Sequence, residues 1–311
     1  MDKIRFGKRT LIVCDEQMKE TLRRALQIAT SDVPVLIVGE SGSGKELVAR
    51  YIHEKSHRAK FPMVSVNCAA IPDGLMEAEL FGFERGAFTG AIQSQVGKFE
   101  RASGSTLLLD ELSEMSFALQ AKLLRVLQEN EIDRLGGKGP IAINTRIIAT
   151  TNKDPWTLMK EGKFREDLYY RLNVIRINCS PLGGRESAIL ALSRCFLEEL
   201  CEFHEKQTMS FDESAVTALL KHRWPGNIRE LRNTIERAVL LTEGPRIGPE
   251  QLEFLPDLKD RADNPCRSLA EMERQLIEST LEQTHGHRNK AAEELGISVR
   301  TLHNKLKQYG A

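Results

Sequence analysis

The sequence predicts an α/β fold: a parallel sheet with helices on both faces, followed by a small helical subdomain and a helical C-terminal unit. Three observations carry this. Short apolar runs alternate with helical periods over the first 180 residues or so, the pattern of strands buried on both faces and joined by crossover helices. Around Ser180 the alternation stops, and residues 184–242 read as helices only. Residues 243–267 carry four prolines, two glycines and many charges, which reads as a linker, and from Ser268 the pattern is helical again.

Composition bounds the function. The chain has 311 residues, enough for two or three domains with a sizeable core. Formal net charge is zero, so any basic surface must be local. There is no run of ~18 apolar residues, and the N-terminus MDKIRFGKRT lacks an apolar core, so neither a membrane span nor a signal peptide is expected. Cys14, Cys68, Cys179, Cys195, Cys201 and Cys266 form no CxxC pair and read as reduced thiols of a cytoplasmic protein.

The elements follow in order. Residues 33–38 (VPVLIV) are a short apolar run ending at Gly39, and a helical pattern starts at Lys45. The connecting Gly39-Glu40-Ser41-Gly42-Ser43-Gly44-Lys45 fits the first seven positions of GxxxxGK[ST]. Phosphate oxygens need several donors in a small volume. Glycines let backbone N–H groups converge, the helix N-terminus adds positive potential, and Lys45 reaches the β- and γ-phosphates. The eighth position departs from the pattern, because Glu46 stands where a hydroxyl would touch Mg2+. The next apolar run, 106–109, ends in Asp110 and Glu111; such a strand end can hold Mg2+ through Asp110 and polarise an attacking water through Glu111 as general base. Helical periods such as 116–129 separate it from a third run, 145–149, which ends in Thr150, Thr151 and Asn152.

Two other stretches need an account. FGFERGAFTGA (81–91) places Phe88 between Gly86 and Gly90, and a loop tip normally avoids a large apolar ring. The residues alone leave open an aromatic buried in a β-hairpin or one offered to a partner. His53-Glu54-Lys55-Ser56-His57 matches H-E-x-x-H, but its helix already carries the phosphate loop and no third ligand matches. It reads as a solvated helix end, not a zinc site.

In the C-terminal segment, Ala291, Ala292 and Leu295 share a helix face, Gly296 permits a tight turn, Ser298 caps the next helix, and Leu302 and Leu306 lie at i and i+4. This is helix-turn-helix spacing. Arg300, Thr301, His303, Asn304 and Lys305 then lie on or near the exposed face, where Arg can pair with guanine and Asn with adenine. Arg288, Lys290 and Lys307 are better placed for phosphates. A helical hairpin for oligomerisation is the alternative, and the preceding helix, 269–281, is expected to dimerise.

GESGSGKE, GAFTGA, LLLDE, FREDLYYRL and WPGNIREL occur in that order before this helix-turn-helix. Over about residues 10–311 the chain resembles the bacterial enhancer-binding proteins of the NtrC type, sigma-54-dependent transcriptional activators with an AAA+ ATPase core and a Fis-type DNA-binding domain. Glu46 is also usual in that family. The resemblance implies an α/β AAA+ P-loop ATPase at 11–179 after an N-terminal tail at 1–10, a helical lid at 180–242, a linker at 243–267 and an all-α helix-turn-helix at 268–311.

The resemblance also implies roles. The loop Gly86-Ala87-Phe88-Thr89-Gly90-Ala91 would grip sigma-54, with Phe88 and Thr89 in contact. Asn67 looks like the residue that restrains the catalytic Glu111. Thr151 and Asn152 resemble the first sensor of the γ-phosphate, and Arg229 the second. Arg165 and Arg171 resemble arginine fingers that reach a neighbouring subunit's ATP, which implies a ring, usually a hexamer. The partners implied are ATP, Mg2+, sigma-54 RNA polymerase, enhancer DNA and further copies of the chain. Where the family often reads PLRER this chain has Pro181-Leu182-Gly183-Gly184-Arg185, which could loosen lid coupling or alter subunit contacts. Many members begin with a receiver or ligand-binding domain, whereas this sequence enters the ATPase region almost at once. Either such a domain is naturally absent, with control through expression or a separate regulatory protein, or the sequence is truncated. The competing function is a DNA-binding repressor-type regulator whose core serves assembly or sensing. A replication-initiator-like AAA+ protein fits less well, because it would not carry GAFTGA and WPGNIREL in order.

Overall fold

A computed structural model describes residues 2–6 and 9–254, and beyond them residues 273, 277, 280, 281, 284 and 287–309. The chain divides into a larger unit, 1–254, and a C-terminal unit, 255–311.

The chain opens with β1 (Asp2–Phe6) antiparallel to β2 (Arg9–Val13), with Ile4 opposite Leu11. This corrects the expected tail at 1–10: Ile4 packs on the same core as Leu11 and Val13, burial that an extended tail would forgo. Then follow α1 (Glu16–Ala29), β3 (Val35–Val38), α2 (Lys45–Glu54), β4 (Val64–Asn67), α3 (Asp73–Phe81), β5 (Gly82–Phe83), β6 (Gln95–Val96), α4 (Lys98–Arg101) and β7 (Thr106–Asp110). The unit continues with α5 (Phe117–Glu129), β8 (Glu131–Ile132), β9 (Ile141–Ala142), β10 (Arg146–Thr151), α6 (Pro155–Lys160), α7 (Glu166–Leu172) and β11 (Ile175–Asn178). Five strands form one parallel sheet in the order β11-β3-β10-β7-β4.

Strand alternation sorts the apolar residues onto two faces. Leu36, Leu107, Leu109, Ile147 and Ala149 enter one core with α3, α5 and α7, while Val35, Ile37, Leu108 and Ile148 enter the other with α1 and α2. Burying each such Leu or Ile contributes roughly 1.5–3 kcal/mol. Asp15 starts α1 by accepting from Met18 N at 2.7 Å. Its other oxygen pairs with the buried Arg185 guanidinium, which also donates to Ser180 O, so one carboxylate fastens α1 to the start of the lid.

The lid comprises α8 (Glu186–Phe203), β12 (Ser210–Phe211), α9 (Glu213–Lys221), α10 (Asn227–Leu241) and β13 (Arg246–Ile247). β12 pairs with β13, and Ile247, Leu252 and Phe254 pack into the lid core around Trp224. Two expectations are corrected here. The lid is not helices only, and residues 243–254 belong to it rather than to a linker, because a few apolar residues between the prolines find a core. The rest of the expected linker, 255–267, lies outside the described residues. Ile12 packs into this same lid core, so β2 serves both cores.

His53 is buried rather than at a solvated helix end. α2 stops at Glu54, so His57 leaves the helix, and no group of three or more His, Cys, Asp or Glu suited to a metal occurs among the described residues. The Phe61 carbonyl, 3.0 Å away, can only accept, so His53 Nε2 carries the proton and Nδ1 faces the Thr106 hydroxyl at 3.0 Å. Cys14, Cys68, Cys179, Cys195 and Cys201 are free thiols; burial pushes Cys68 up to about 12 and Cys179 up to about 11. Among the described residues no helix is long and apolar enough to cross a membrane.

In the C-terminal unit the helices Arg288–Glu294 and Val299–Tyr309 pack through Ala291, Ala292, Leu302 and Leu306, with Ile277. Gly296 takes φ +64 in the turn, and Ser298 Oγ accepts from Thr301 N at 3.1 Å, as the capping expectation required. The expected dimerisation through 269–281 falls mostly outside the described residues.

Candidate functional site

The site lies at the carboxyl edge of the parallel sheet, where the ends of adjacent strands converge. β3 delivers the loop from Gly39 to Lys45. Gly42 and Gly44 take φ +75 and +96, and α2 begins with no side-chain cap, so its N-terminus stays available to anions. Ser43 Oγ donates to Glu40 O at 2.8 Å and braces the loop. Lys45 is only 4% exposed; its Nζ donates to the carbonyls of Gly39 (2.8 Å) and Glu40 (3.1 Å) and sits 3.4 Å from Glu111 Oε1. Glu46 is held by Arg50 one turn on, at 2.9 Å.

β7 ends at Asp110, and Glu111 follows in the left-handed region (φ 54, ψ 51), a conformation that costs a non-glycine residue roughly 1–2 kcal/mol. Thr150 holds this pair together. Its hydroxyl donates to Asp110 Oδ1 at 2.6 Å and accepts from Glu111 N at 3.0 Å. Glu111 Oε2 in turn accepts from Asn152 N at 3.2 Å. A carboxylate so oriented, beside a buried ammonium, can activate water toward a phosphate seated on Lys45.

Several expected residues fall elsewhere than their roles suggested. Asn67 lies opposite Asp110 in the sheet register and donates to Asp110 Oδ2 at 3.4 Å, not to Glu111; its Oδ1 accepts from Ala69 N and Ala70 N. The Thr151 hydroxyl turns onto the backbone of Lys153, while its carbonyl accepts from Gly39 N, and Asn152 reaches the site through its backbone. Thr150, the bridging residue, sits one position before the pair singled out from sequence. Arg229 Nη1 does reach the phosphate loop, at Ser41 Oγ, 3.0 Å. A neighbouring contact was missed: the fully buried Asn227 also reaches Glu40 and Ser41.

A cavity of about 410 Å3 opens beside Lys45. Its lining divides by chemistry: Gly42, Gly44, Lys45, Asp110 and Glu111 suit a phosphate chain, and Leu11, Ile12, Met18, Leu192, Phe196 and Ile228 suit a flat base. Neither Arg165, just before α7, nor Arg171 within it lines this cavity. Arg165 instead grips Asp167 (2.7 Å) over the Phe117 ring, holding the Asp167 carboxyl below its usual range, and Arg171 donates to Leu127 O.

The GAFTGA stretch connects β5 to β6. Gly86 and Gly90 take φ +83 and +104, and Gly86 N donates to Ala91 O at 2.9 Å, closing the loop on itself with Ala91 buried. Phe88 meets Phe83 edge-on with ring centres 4.9 Å apart and stays 42% exposed, so it is neither buried nor free. Thr89 is exposed, and so is Ile92, at 79%, an apolar neighbour that sequence reading passed over.

On the C-terminal unit Arg288, Lys290, Arg300, His303 and Asn304 are exposed; Thr301 is partly buried, its hydroxyl 2.7 Å from Ser298 Oγ. Lys305 corrects its expectation. It is partly buried and ion-paired with Glu273 at 2.5 Å.

Comparison with known proteins finds three family models in tandem: the sigma-54 interaction domain over residues 11–178, the AAA+ ATPase lid domain over 184–265, and the Fis family of bacterial regulatory proteins over 268–309. The chain is 48% identical to the transcriptional regulatory protein FlbD of Caulobacter vibrioides, covering 97% of this chain and 70% of the relative. It is 47% identical to the regulatory protein AtoC of Escherichia coli, covering 94% and 66%. It thus spans about two thirds of their length. Among solved structures, NtrX from Brucella abortus in complex with ATP matches with a TM-score of 0.76 at 33% identity, covering 99% of this chain and 70% of that one.

Proposed function

Because the chain belongs to the sigma-54-dependent transcriptional activators, with an AAA+ ATPase core and a Fis-type helix-turn-helix, we propose that it hydrolyses ATP as a ring, usually a hexamer in this family, and uses the loop from Gly86 to Ala91 to remodel sigma-54 RNA polymerase while bound to enhancer DNA. The observation that carries this is the loop. A half-exposed aromatic is held over a two-glycine turn on short strands that directly follow α3, the helix joined to the Asn67 strand end. That chain segment runs from the nucleotide site to an apolar contact surface.

In this reading Lys45 and the loop before it bind the phosphates, and Glu111 is the general base. The residues present suit Mg2+: among the described residues Asp110 Oδ2 carries only the long contact to Asn67, so this carboxylate would hold the ion, with the nucleotide and water completing its shell. Mg2+ would neutralise charge on the phosphates. Asn67, bound to Asp110, acts on the metal side rather than on Glu111. Thr151 and Asn152 sense the γ-phosphate through the backbone of the β10 end, and Arg229 does so from the lid. Arg165 and Arg171, absent from their own chain's cavity, serve the neighbouring subunit's site. Arg288, Lys290, Arg300, His303 and Asn304 face DNA, with Ser298 and Thr301 shaping the helix start.

The test is open-complex formation at a sigma-54 promoter with Thr89→Ala. ATP hydrolysis should persist while heparin-resistant complexes disappear. Normal activation by this variant would remove the loop as the gripping element.

A further inference from the structure

The lid turn Trp224-Pro225-Gly226-Asn227 does more than carry Arg229. Asn227 is fully buried, and both polar atoms of its carboxamide are engaged. Nδ2 donates to Glu40 Oε2 at 3.0 Å and to Ser41 O at 3.1 Å, and Oδ1 accepts from Leu182 N at 2.7 Å. One side chain therefore joins the lid, the subdomain junction and the phosphate loop. The backbone adds a parallel contact, Ile228 N to Gly42 O at 3.1 Å. Asn227 holds φ 55, which asparagine tolerates better than most residues.

Glycines make the approach possible. A Cβ on Gly42 would lie 2.4 Å from Gly226 O, and one on Gly183 would lie 2.5 Å from Arg223 O. Gly184 takes φ +79. The pair that replaces charged residues at the junction thus lets its backbone close onto the lid turn, where Leu182 N meets Asn227.

We propose that Asn227 is a positioning residue for nucleotide binding: it fixes Glu40 and Ser41 relative to the lid and junction, and Gly183 lets this clasp close. It acts through the loop, since Glu40 O is one of the acceptors that hold Lys45 Nζ. The inference rests on the ATPase reading, and wild-type titration separates the two. If the wild-type chain bound no nucleotide, that reading would fail; if only the variants matched it, the inference alone would fail.

The experiment titrates the full chain with a fluorescent ATP analogue and measures turnover alongside. Asn227→Asp keeps the acceptor for Leu182 N but sets a carboxylate against Glu40 and the Ser41 carbonyl. Affinity should fall at least about tenfold, while kcat at saturating ATP stays within about threefold, because Asn227 touches none of Asp110, Glu111 and Thr150. Adding Glu40→Gln supplies an amide donor to the new carboxylate and should restore affinity to within about threefold of Glu40→Gln alone. Gly183→Arg should reproduce the loss. Unchanged affinity in Asn227→Asp, or a loss that Glu40→Gln leaves untouched, would overturn the proposal. Should Asn227→Asp not fold, Asn227→Gly deletes the carboxamide while relieving the positive φ; wild-type affinity there would overturn it equally.

Discussion

Replacing Thr150 by valine isolates one hydroxyl. Thr150 is fully buried and valine has nearly its shape, so packing is retained and two hydrogen bonds are lost. The 2.6 Å bond to Asp110 is charge-assisted, worth roughly 1.5–3 kcal/mol, and a stranded Glu111 N–H costs roughly 1–3 kcal/mol more. Asp110 is only partly buried, so water recovers some of the first loss, leaving about 2–3 kcal/mol. The bond donated by Glu111 N to the Thr150 hydroxyl also holds Glu111 in its left-handed conformation, so without it the peptide is expected to relax and carry the carboxylate away from the attacking water. Expressed in the barrier, kcat should fall about 30- to 150-fold. Nucleotide affinity should change by less than about threefold, because Lys45 is anchored independently by Gly39 and Glu40. Phosphate release at saturating ATP, with a parallel binding titration, reads both. Thr150→Ser, which keeps the hydroxyl, should recover most of the rate. A valine variant within twofold of wild type, or a serine variant as slow as valine, would refute the assignment.

Glu111→Ala should bind ATP yet stop turnover, and equal hydrolysis by variant and wild type would refute the base assignment. Arg300→Ala should weaken DNA binding by about 1–3 kcal/mol without altering ATPase activity; an unchanged titration counts against this helix as the reader. His53 gives a pH dependence. Burial lowers its pKa below the ordinary 6.5, so the folded chain binds fewer protons than the unfolded one. Its stabilising contribution is present above 6.5 and is lost as pH falls through the depressed value. The melting temperature should therefore fall more steeply on acidification in wild type than in His53→Gln, and parallel slopes would remove His53 as the cause.

The parts of the site that rest on local chain geometry were legible in the sequence. Gly spacing before a helix placed Lys45, and a strand end placed Asp110 and Glu111. Residues whose roles depend on register were not. Neighbours along β10 point to opposite faces, so only the pairing of Ala149 with Leu109 decides that Thr150, not Thr151, meets Asp110. Asn67 lies across from Asp110 for the same reason. Asn227 and Lys305 find partners 187 and 32 residues away, and no local pattern encodes either distance. The fold misreadings share one cause. Two-residue strands, such as the one that holds Ile247, and short apolar stretches between prolines, such as the one that holds Phe254, are too short to show a period.

The strand shared by the two cores sets the order in which this protein can be made. Residues 11–13 leave the ribosome before the lid does, yet Ile12 packs against lid residues and Asp15 pairs with Arg185, 170 positions later. At roughly 5–20 residues per second, that partner is synthesised about 10 to 35 s after Asp15. Through that interval the first segment must wait without its second core, so its docking closes the larger unit late, and a nascent chain halted before the lid would leave Ile12 without its cover.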